Sequence, residues 1–268
     1  MQVDPNQYWE SRLRKTYSLQ GVGSIDMGSA YNHWLYRVRR HAFLRTLAQM
    51  QMASRKGGIL DVGSGTGFYV DLWKEAGFRN VTASDLTRIA VKKLRARRAA
   101  PRILRLDIGA PLGPSLHAER FDIVSAFDVF FHILDSQRYQ RAMRNVGRLL
   151  KPGGLFFYSD NLAPRKVGGR HEATRTEAQI LRAARLAGLT PVAFRPVFFV
   201  MNDPVRRPGK ILWRTHRLIR WLASVPGLGG MVGAGLYPLE ILMTGLCHRG
   251  AGTEVVVFQK RGKPRCTS

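Results

Sequence analysis

From residue 57 onward, short apolar runs alternate with longer segments whose apolar positions recur at helical spacing. GGILDV (57–62), NVTASD (80–85), RILRLD (102–107), FDIVSAFDV (121–129) and GGLFFYSD (153–160) read as strands. The stretches between them, up to residue 77, over 87–98 and over 135–150, read as helices. Strands separated by helical segments of ten to fifteen residues imply repeated βαβ units and a mostly parallel sheet with helices on both faces. A further helix over 174–188 and strands over 190–201 and 253–260 complete an expected set of seven strands.

Two regions fall outside this alternation. Residues 5–17 and 30–50 have helical spacing, and the glycine-rich LQGVGSIDMGS (19–29) between them reads as a loop. The second helix places Trp34, Leu35, Val38, Phe43 and Leu44 toward one side, with Arg37, Arg40 and Arg45 interleaved. The segment 202–252, between the last two strands, is too long for a plain loop. Its first part, RRPGKILWRTHRLIRWL (206–222), is a basic amphipathic helix candidate. Ile211, Leu212, Leu218, Ile219 and Leu222 share a side, while Lys210, Arg214, Arg217 and Arg220 are interleaved with Trp213 and Trp221. The second part, GLGGMVGAGLYPLEILMTGLC (227–247), is nearly uncharged and long enough to span a bilayer. Pro238, Glu240 and six glycines interrupt it, so a spanning helix is not expected. Two readings of 206–247 stay open: a lid over an apolar acceptor pocket, or an element resting on an anionic membrane surface.

Composition narrows the class. With 268 residues, 45% hydrophobic and 23% charged, the chain is neither disordered nor collagen-like. Two cysteines, Cys247 and Cys266, exclude a disulfide scaffold and a four-cysteine zinc site. The polar N-terminus, MQVDPNQYWESRLRK, lacks the apolar core of a secretory signal, so a cytoplasmic setting is expected. Lys and Arg number 43 against 18 Asp and Glu, a formal charge of +25. That field suits nucleic acid, an anionic membrane surface or an acidic substrate; the alternative is arginine spread over the surface for solubility. No run of five like charges occurs, which disfavours a nucleic-acid-binding tail. No His and acid cluster has ligand spacing, so no metal site is expected.

The most informative stretch is ILDVGSGTGFYVDLWKEAGF. An apolar strand carries Asp61 near its end, Gly63, Gly65 and Gly67 recur at every second position, and a helix begins. Glycines let a ligand lie against the backbone, and the helix N-terminus offers unpaired N–H groups. Asp85 ends the next strand about twenty residues on, where a carboxylate accepts hydrogen bonds from ribose hydroxyls. Dinucleotide enzymes use G-x-G-x-x-G to admit a pyrophosphate. Here the spacing is G-S-G-T-G, with an acid two residues before the first glycine, which suits a cationic amino-acid moiety and points away from a nicotinamide cofactor.

On these residues the chain resembles the class I S-adenosylmethionine-dependent methyltransferases. LDVGSGTG is similar to their first motif, Asp85 in TASDLT to the ribose-binding acid, and LDI (106–108) to the adenine-flanking motif. FDIVSAFDVFFHI (121–133) and LLKPGGLFFYSD (149–160) resemble the fourth strand with its substrate-side loop and the glycine turn into strand five. The resemblance implies an α/β Rossmann-like fold of seven strands, the last antiparallel. It further implies an N-terminal helical cap over 1–50 and a methyltransferase domain over 51–268 that includes a lid insertion at 202–252. It assigns Gly63 and Gly65 to backbone approach to the methionine part of S-adenosyl-L-methionine, with Asp61 and Gly67 as further cofactor contacts of the same turn. Asp85 and the adjoining Leu86 fall on the ribose side, Asp107 and Ile108 flank adenine, and Phe127 lies near the methionine. A turn or helix-capping role is the alternative for Asp85 and Asp107.

Methyl transfer from a sulfonium needs alignment above all, and a proton-bearing nucleophile also gains from a general base. His132 and Asp128 are the candidate catalytic residues, against a structural histidine and a loop cap. Tyr31, Tyr36 and His132 are candidates for the substrate pocket, with His33 beside them, although aromatic residues at helical spacing often only pack. Arg37 and Arg40 are candidates for a carboxylate of the cofactor or of an acidic substrate. The expected activity is methyl transfer to an oxygen of a small apolar or anionic metabolite. An RNA methyltransferase is the second reading, disfavoured because SAFDVFFHI lacks the Asn/Asp-Pro-Pro-Tyr pattern of amino-group nucleic-acid methylators. A non-catalytic membrane or assembly protein retaining the fold is the third.

Overall fold

The computed structural model describes residues 4–50, 52, 54–97, 101–163, 171–206 and 209–262. Arg98 at the end of one expected helix, Arg207 and Pro208 at the start of another, and Cys266 lie outside the described residues. In chain order the elements are α1 (Pro5–Lys15), α2 (Leu19–Val22), α3 (Gly28–Gln49), β1 (Ile59–Val62), α4 (Phe68–Glu75), β2 (Val81–Asp85), α5 (Arg88–Arg95) and β3 (Arg102–Arg105). There follow α6 (Pro114–His117), β4 (Phe121–Ala126), α7 (Ser136–Leu149), β5 (Leu150–Asn161), α8 (Glu177–Leu186), β6 (Leu189–Phe198), α9 (Lys210–Ser224), α10 (Leu228–Leu246) and β7 (Thr253–Lys260).

The strands form one seven-stranded sheet in the order β3-β2-β1-β4-β5-β7-β6. β1 pairs in parallel with β2 and β4, and β7 inserts antiparallel between β5 and β6. Because side chains alternate across a strand, neighbours feed opposite cores. Ile59 joins Trp73, Phe43 and Phe157 on one face, while Leu60 joins Val124, Phe156 and Tyr158 on the other. β1 is buried throughout, which explains why its sequence shows an apolar run and no alternation. The strand order reverses at β1 and β4, and the carboxyl ends of these strands open the crevice in which ligands of such folds bind.

Residues 19–29 are more ordered than their glycine content suggests. Ser18 caps α2 through its hydroxyl, and Ile25–Met27 form a 3-10 turn. The Asn32 side chain accepts from the Ser24 N–H and donates to the Ser24 and Gly28 carbonyls, fixing the entry to α3.

The insertion is a helical hairpin of α9 and α10. Its second helix runs unbroken through Pro238, against the expectation from its glycines. Gly229, Gly233, Glu240 and Thr244 form its buried stripe, and a Cβ on Gly233 would come 2.4 Å from Trp34 Cδ1. The glycines therefore permit close packing on α3, and that contact outweighs their low helix propensity. Among the described residues no helix is long and apolar enough to cross a membrane.

Candidate active site

β1 ends at the glycine turn. Gly63 and Gly65 have φ of +72° and +51°, a left-handed backbone that a side chain strains. A Cβ on Gly63 would come 2.4 Å from Val129 Cγ2, and one on Gly65 would come 3.1 Å from Val22 Cγ1. Both glycines thus face the segments that close over them. Gly67, also left-handed, begins α4 and is packed by Leu94 and Arg97, away from the crevice.

Asp85 ends β2 and is buried. Its Oδ2 accepts the Gly65 N–H (2.9 Å), and its Oδ1 accepts the Thr87 N–H (2.8 Å) and hydroxyl (2.7 Å). A carboxylate offers about four lone-pair sites, so Oδ2 keeps one for a ligand. Burial raises its carboxyl pKa, and the Thr87 and Gly65 donors oppose that rise.

Asp61 is placed differently from its expected contact. It does not line the cavity. Its Oδ1 accepts from Ser125 Oγ (2.6 Å) and its Oδ2 from Ser64 Oγ (2.8 Å), while Ser125 Oγ in turn accepts from Trp73 Nε1 (3.1 Å). Burial pushes its carboxyl up to about 6, against those hydroxyl donors. Here the acid braces the turn from behind, because both hydroxyls reach it within the strand layer. Asp107 lines the cavity with Ile108 and Leu86. Its two oxygens are engaged, Oδ1 by the Gly109 N–H (2.9 Å) and Oδ2 by Arg138 (2.5 Å).

The turn after β4 builds the other wall. Phe127 stacks on Tyr69, with ring centroids 3.9 Å apart. Asp128 has φ +58°, the single non-glycine residue with positive φ among those described. Its backbone N–H donates to Ser159 Oγ, its Oδ1 accepts from the same hydroxyl, and its Oδ2 pairs with Arg39. His132 Nδ1 lies 3.0 Å from the His171 carbonyl. A carbonyl only accepts, so Nδ1 carries the proton and Nε2 is the basic nitrogen. Burial lowers its pKa to about 4, which keeps the ring neutral near pH 7.

These parts enclose one cavity of about 470 Å³, within the range of small-molecule sites. Trp9 and Leu13 of α1, Val22 of α2 and Tyr36 of α3 roof it. The N-terminal segment is fastened down by the Tyr17 hydroxyl on the Gly65 carbonyl (3.0 Å) and by Glu10, which accepts from the Arg88 N–H (2.8 Å) at the start of α5.

Several expected contacts are not made. Tyr31 is buried on the far side of α3, where its hydroxyl donates to the Met201 carbonyl (2.9 Å). Residue 31 is five positions before Tyr36, about 140° around the helix, so the two point to different surroundings. His33 lies outside the cavity lining, with its ring edge toward Trp34. Arg37 lies over Trp34 and Arg40 pairs with Glu75; of these neighbouring arginines of α3 it is Arg39 that reaches the site's wall, through Asp128, while Arg138 of α7 lines the cavity itself. No described residue of the 202–252 insertion lines the cavity; the hairpin packs on the opposite side of α3. Trp9, Tyr69 and Arg39 were not singled out in the sequence, and only the helical spacing of 5–17 signals that Trp9 belongs to a packed element. Among the described residues no group of three or more His, Cys, Asp or Glu side chains is arranged to hold a metal.

The order of strands and the glycine turn facing Asp85 define a Rossmann-like nucleoside-binding fold of the methyltransferase type. Residues 60–158 match the family model described as a methyltransferase domain. Residues 60–158 thus carry a methyltransferase domain, set in a sheet with the fold of S-adenosylmethionine-dependent methyltransferases. The chain is 33% identical over 105 residues to a malonyl-[acyl-carrier protein] O-methyltransferase of Pectobacterium atrosepticum, a match spanning 38% of this chain and 37% of that protein. The same-named protein of Hamiltonella defensa is 29% identical over 101 residues, 36% of this chain and 39% of that one. The matches thus span less than half the length of these curated relatives. In fold, the chain resembles magnesium protoporphyrin IX methyltransferase from Synechocystis PCC 6803, solved with bound S-adenosylmethionine (TM-score 0.56, 16% identity, 75% of this chain and 93% of that one). It also resembles an S-adenosylmethionine-dependent methyltransferase from Clostridium acetobutylicum (TM-score 0.53, 13% identity, 85% and 92%).

Proposed function

We propose that this chain transfers the methyl group of S-adenosylmethionine to an oxygen of a small apolar or anionic acceptor held beneath the N-terminal helices. The observation that carries this reading is the single cavity joining the glycine turn, Asp85 and Ile108 to the Phe127–His132 segment. The residues fit the cofactor. The Gly63–Gly65 backbone lines the cavity, Asp85 Oδ2 keeps a lone pair for a ribose hydroxyl, and Leu86, Leu106 and Ile108 form an apolar slot suited to adenine. When bound, S-adenosylmethionine supplies a methyl group on a positively charged sulfur that departs as a neutral thioether.

The protein's share is alignment and exclusion of water. Tyr36, Tyr69 and Phe127 form an aromatic wall that favours a nearby cation. Residues 4–50 act as the cap, since Trp9, Leu13 and Val22 shield the cavity from solvent. His132 presents a neutral ring whose Nε2 accepts a hydrogen bond from an acceptor group. Its lowered pKa makes it a weak base, so Nε2 suits holding an O–H or N–H elsewhere on the acceptor molecule, and the reacting oxygen of best fit is one that needs no deprotonation, such as a carboxylate. The O-methyltransferase names of the two curated relatives support oxygen as the acceptor atom.

The test is transfer of tritiated methyl from S-adenosylmethionine to a panel of acyl carboxylates and phenols. Base-labile label on a carboxylate supports the reading; label on RNA alone, or no transfer to any member, contradicts it.

A further inference from the structure

The hairpin of α9 and α10 has an outer face that the other described residues leave exposed. Along α10, Leu228, Met231, Leu239, Leu242 and Leu246 are 37 to 71% exposed. Their spacing of three, four or eight residues, with Gly235 filling the gap, sets them on one stripe of the helix, opposite the stripe packed on α3. On α9, Ile211 and Leu218 are exposed, and the rings of Trp213 and Trp221 are partly in solvent. Isolated exposed leucines need no explanation, but an apolar stripe running the length of a helix marks a contact surface.

The charges on this face are of one sign. Lys210, Arg214 and Arg217 are exposed on α9. The one acid between residues 209 and 247 is Glu240, which is fully buried and accepts the Phe199, Val200 and Met201 N–H groups at 2.5, 3.0 and 2.6 Å. Asp203 and Asp26, the nearby acids, are both paired with Arg220. The face therefore offers leucines, tryptophan rings and uncompensated cations together. A second copy of the chain meeting it about a two-fold axis would bring cation against cation. An RNA would find few rings for its bases and many aliphatic side chains.

We propose that the α9–α10 hairpin rests in the headgroup layer of an anionic bilayer. The leucine stripe enters the acyl boundary, Trp213 and Trp221 sit at the interface, and Lys210, Arg214 and Arg217 meet lipid phosphates. Neither helix is long and apolar enough to cross the membrane, so the hairpin lies along the surface. No described residue of the hairpin lines the cavity, so this attachment stands or falls apart from the methyl-transfer reading.

The experiment is flotation of the full chain with vesicles of phosphatidylcholine alone or mixed with phosphatidylglycerol. Flotation with the anionic vesicles, absent with phosphatidylcholine and weakening as salt rises, is the expected result. L239E/L242E and R214E/R217E should each weaken it at least tenfold while leaving the melting temperature and S-adenosylhomocysteine binding unchanged. Brominated lipid should quench tryptophan fluorescence in the unaltered chain, and less so in W213F/W221F, which keeps the test independent of how the charged variants fold. Three outcomes would overturn the proposal. The first is no flotation at low salt. The second is flotation that the leucine variant does not weaken, which would mean general attraction by the +25 surface. The third is a dimer in sedimentation that the same variants dissociate.

Discussion

Arg39 Nε lies 2.9 Å from Asp128 Oδ2, an ion pair that ties the middle of α3 to the turn leaving β4. Asp128 holds a left-handed backbone there, and Ser159 Oγ grips both its N–H and its Oδ1. The pair thus fixes the segment that aims Phe127 and Val129 into the cavity. Arg39→Ala leaves a half-buried carboxylate without its cation and should lower stability by about 1–3 kcal/mol. Asp128→Asn should cost less than Asp128→Ala, because Asn tolerates the left-handed region and still accepts from Ser159. Urea denaturation at pH 7 measures both; equal losses for the two Asp128 variants would contradict the backbone argument.

Gly63→Ala tests the closeness of the turn. The added Cβ meets Val129 Cγ2 at 2.4 Å and occupies a backbone with φ +72°. Loss of measurable S-adenosylhomocysteine binding is expected. Adding Val129→Ala should restore part of the stability but leave about 1 kcal/mol of backbone strain. Full recovery in the double variant would show that contact alone makes glycine necessary.

Asp85 joins β2 to the turn through the Gly65 N–H and offers its remaining lone pair to the ligand. Asp85→Ala should weaken S-adenosylhomocysteine binding by about 1–3 kcal/mol, the scale of a lost hydrogen-bond partner. Asp85→Asn should fall between, since one oxygen remains an acceptor. Calorimetric titration reads this directly, and unchanged affinity in the alanine variant would remove Asp85 from the site.

His132 makes a pH prediction of fixed sign. Burial brings its folded pKa to about 4, below the ordinary 6.5. Between those values the unfolded chain binds a proton that the folded chain refuses, so stability falls as pH drops from about 6.5 to 4. Asp61 and Asp160, raised by burial to about 6 and about 7, act in the opposite direction over a similar window. Comparison with His132→Asn isolates the histidine: the variant should lose less stability from pH 7 to 5 than the unaltered chain. Nitrogen-15 spectra should show the proton on Nδ1 at pH 7; a ring that titrates near 6.5 would contradict the assignment.

The sheet and its motifs were legible because strand, glycine turn and acid lie within one βαβ unit, where spacing carries geometry. The sheet has the expected seven strands, mostly parallel with the last antiparallel. Long-range contacts were not legible. Asp61 has the sequence position of a ligand contact, yet Ser125, 64 residues later, claims its Oδ1. Tyr31 and Tyr36 share a helix, and only the packing of Met201 and Phe68 around them separates the buried one from the one that lines the cavity. In α10 the glycines read as helix breakers because the ring they accommodate, Trp34, belongs to another element about 200 residues away. The lid and membrane-surface readings of the insertion stay open in the sequence because its side of α3 is set by a distant contact, Glu240 of α10 accepting the N–H groups that follow β6.

The most direct test of the central claim is a crystal structure of the chain grown with S-adenosylhomocysteine. The account predicts the nucleoside between the Gly63–Gly65 backbone and Ile108, a ribose hydroxyl on Asp85 Oδ2, and the sulfur facing the Phe127–His132 segment. A cavity left empty at saturating ligand, or a nucleoside bound elsewhere on the chain, would contradict it.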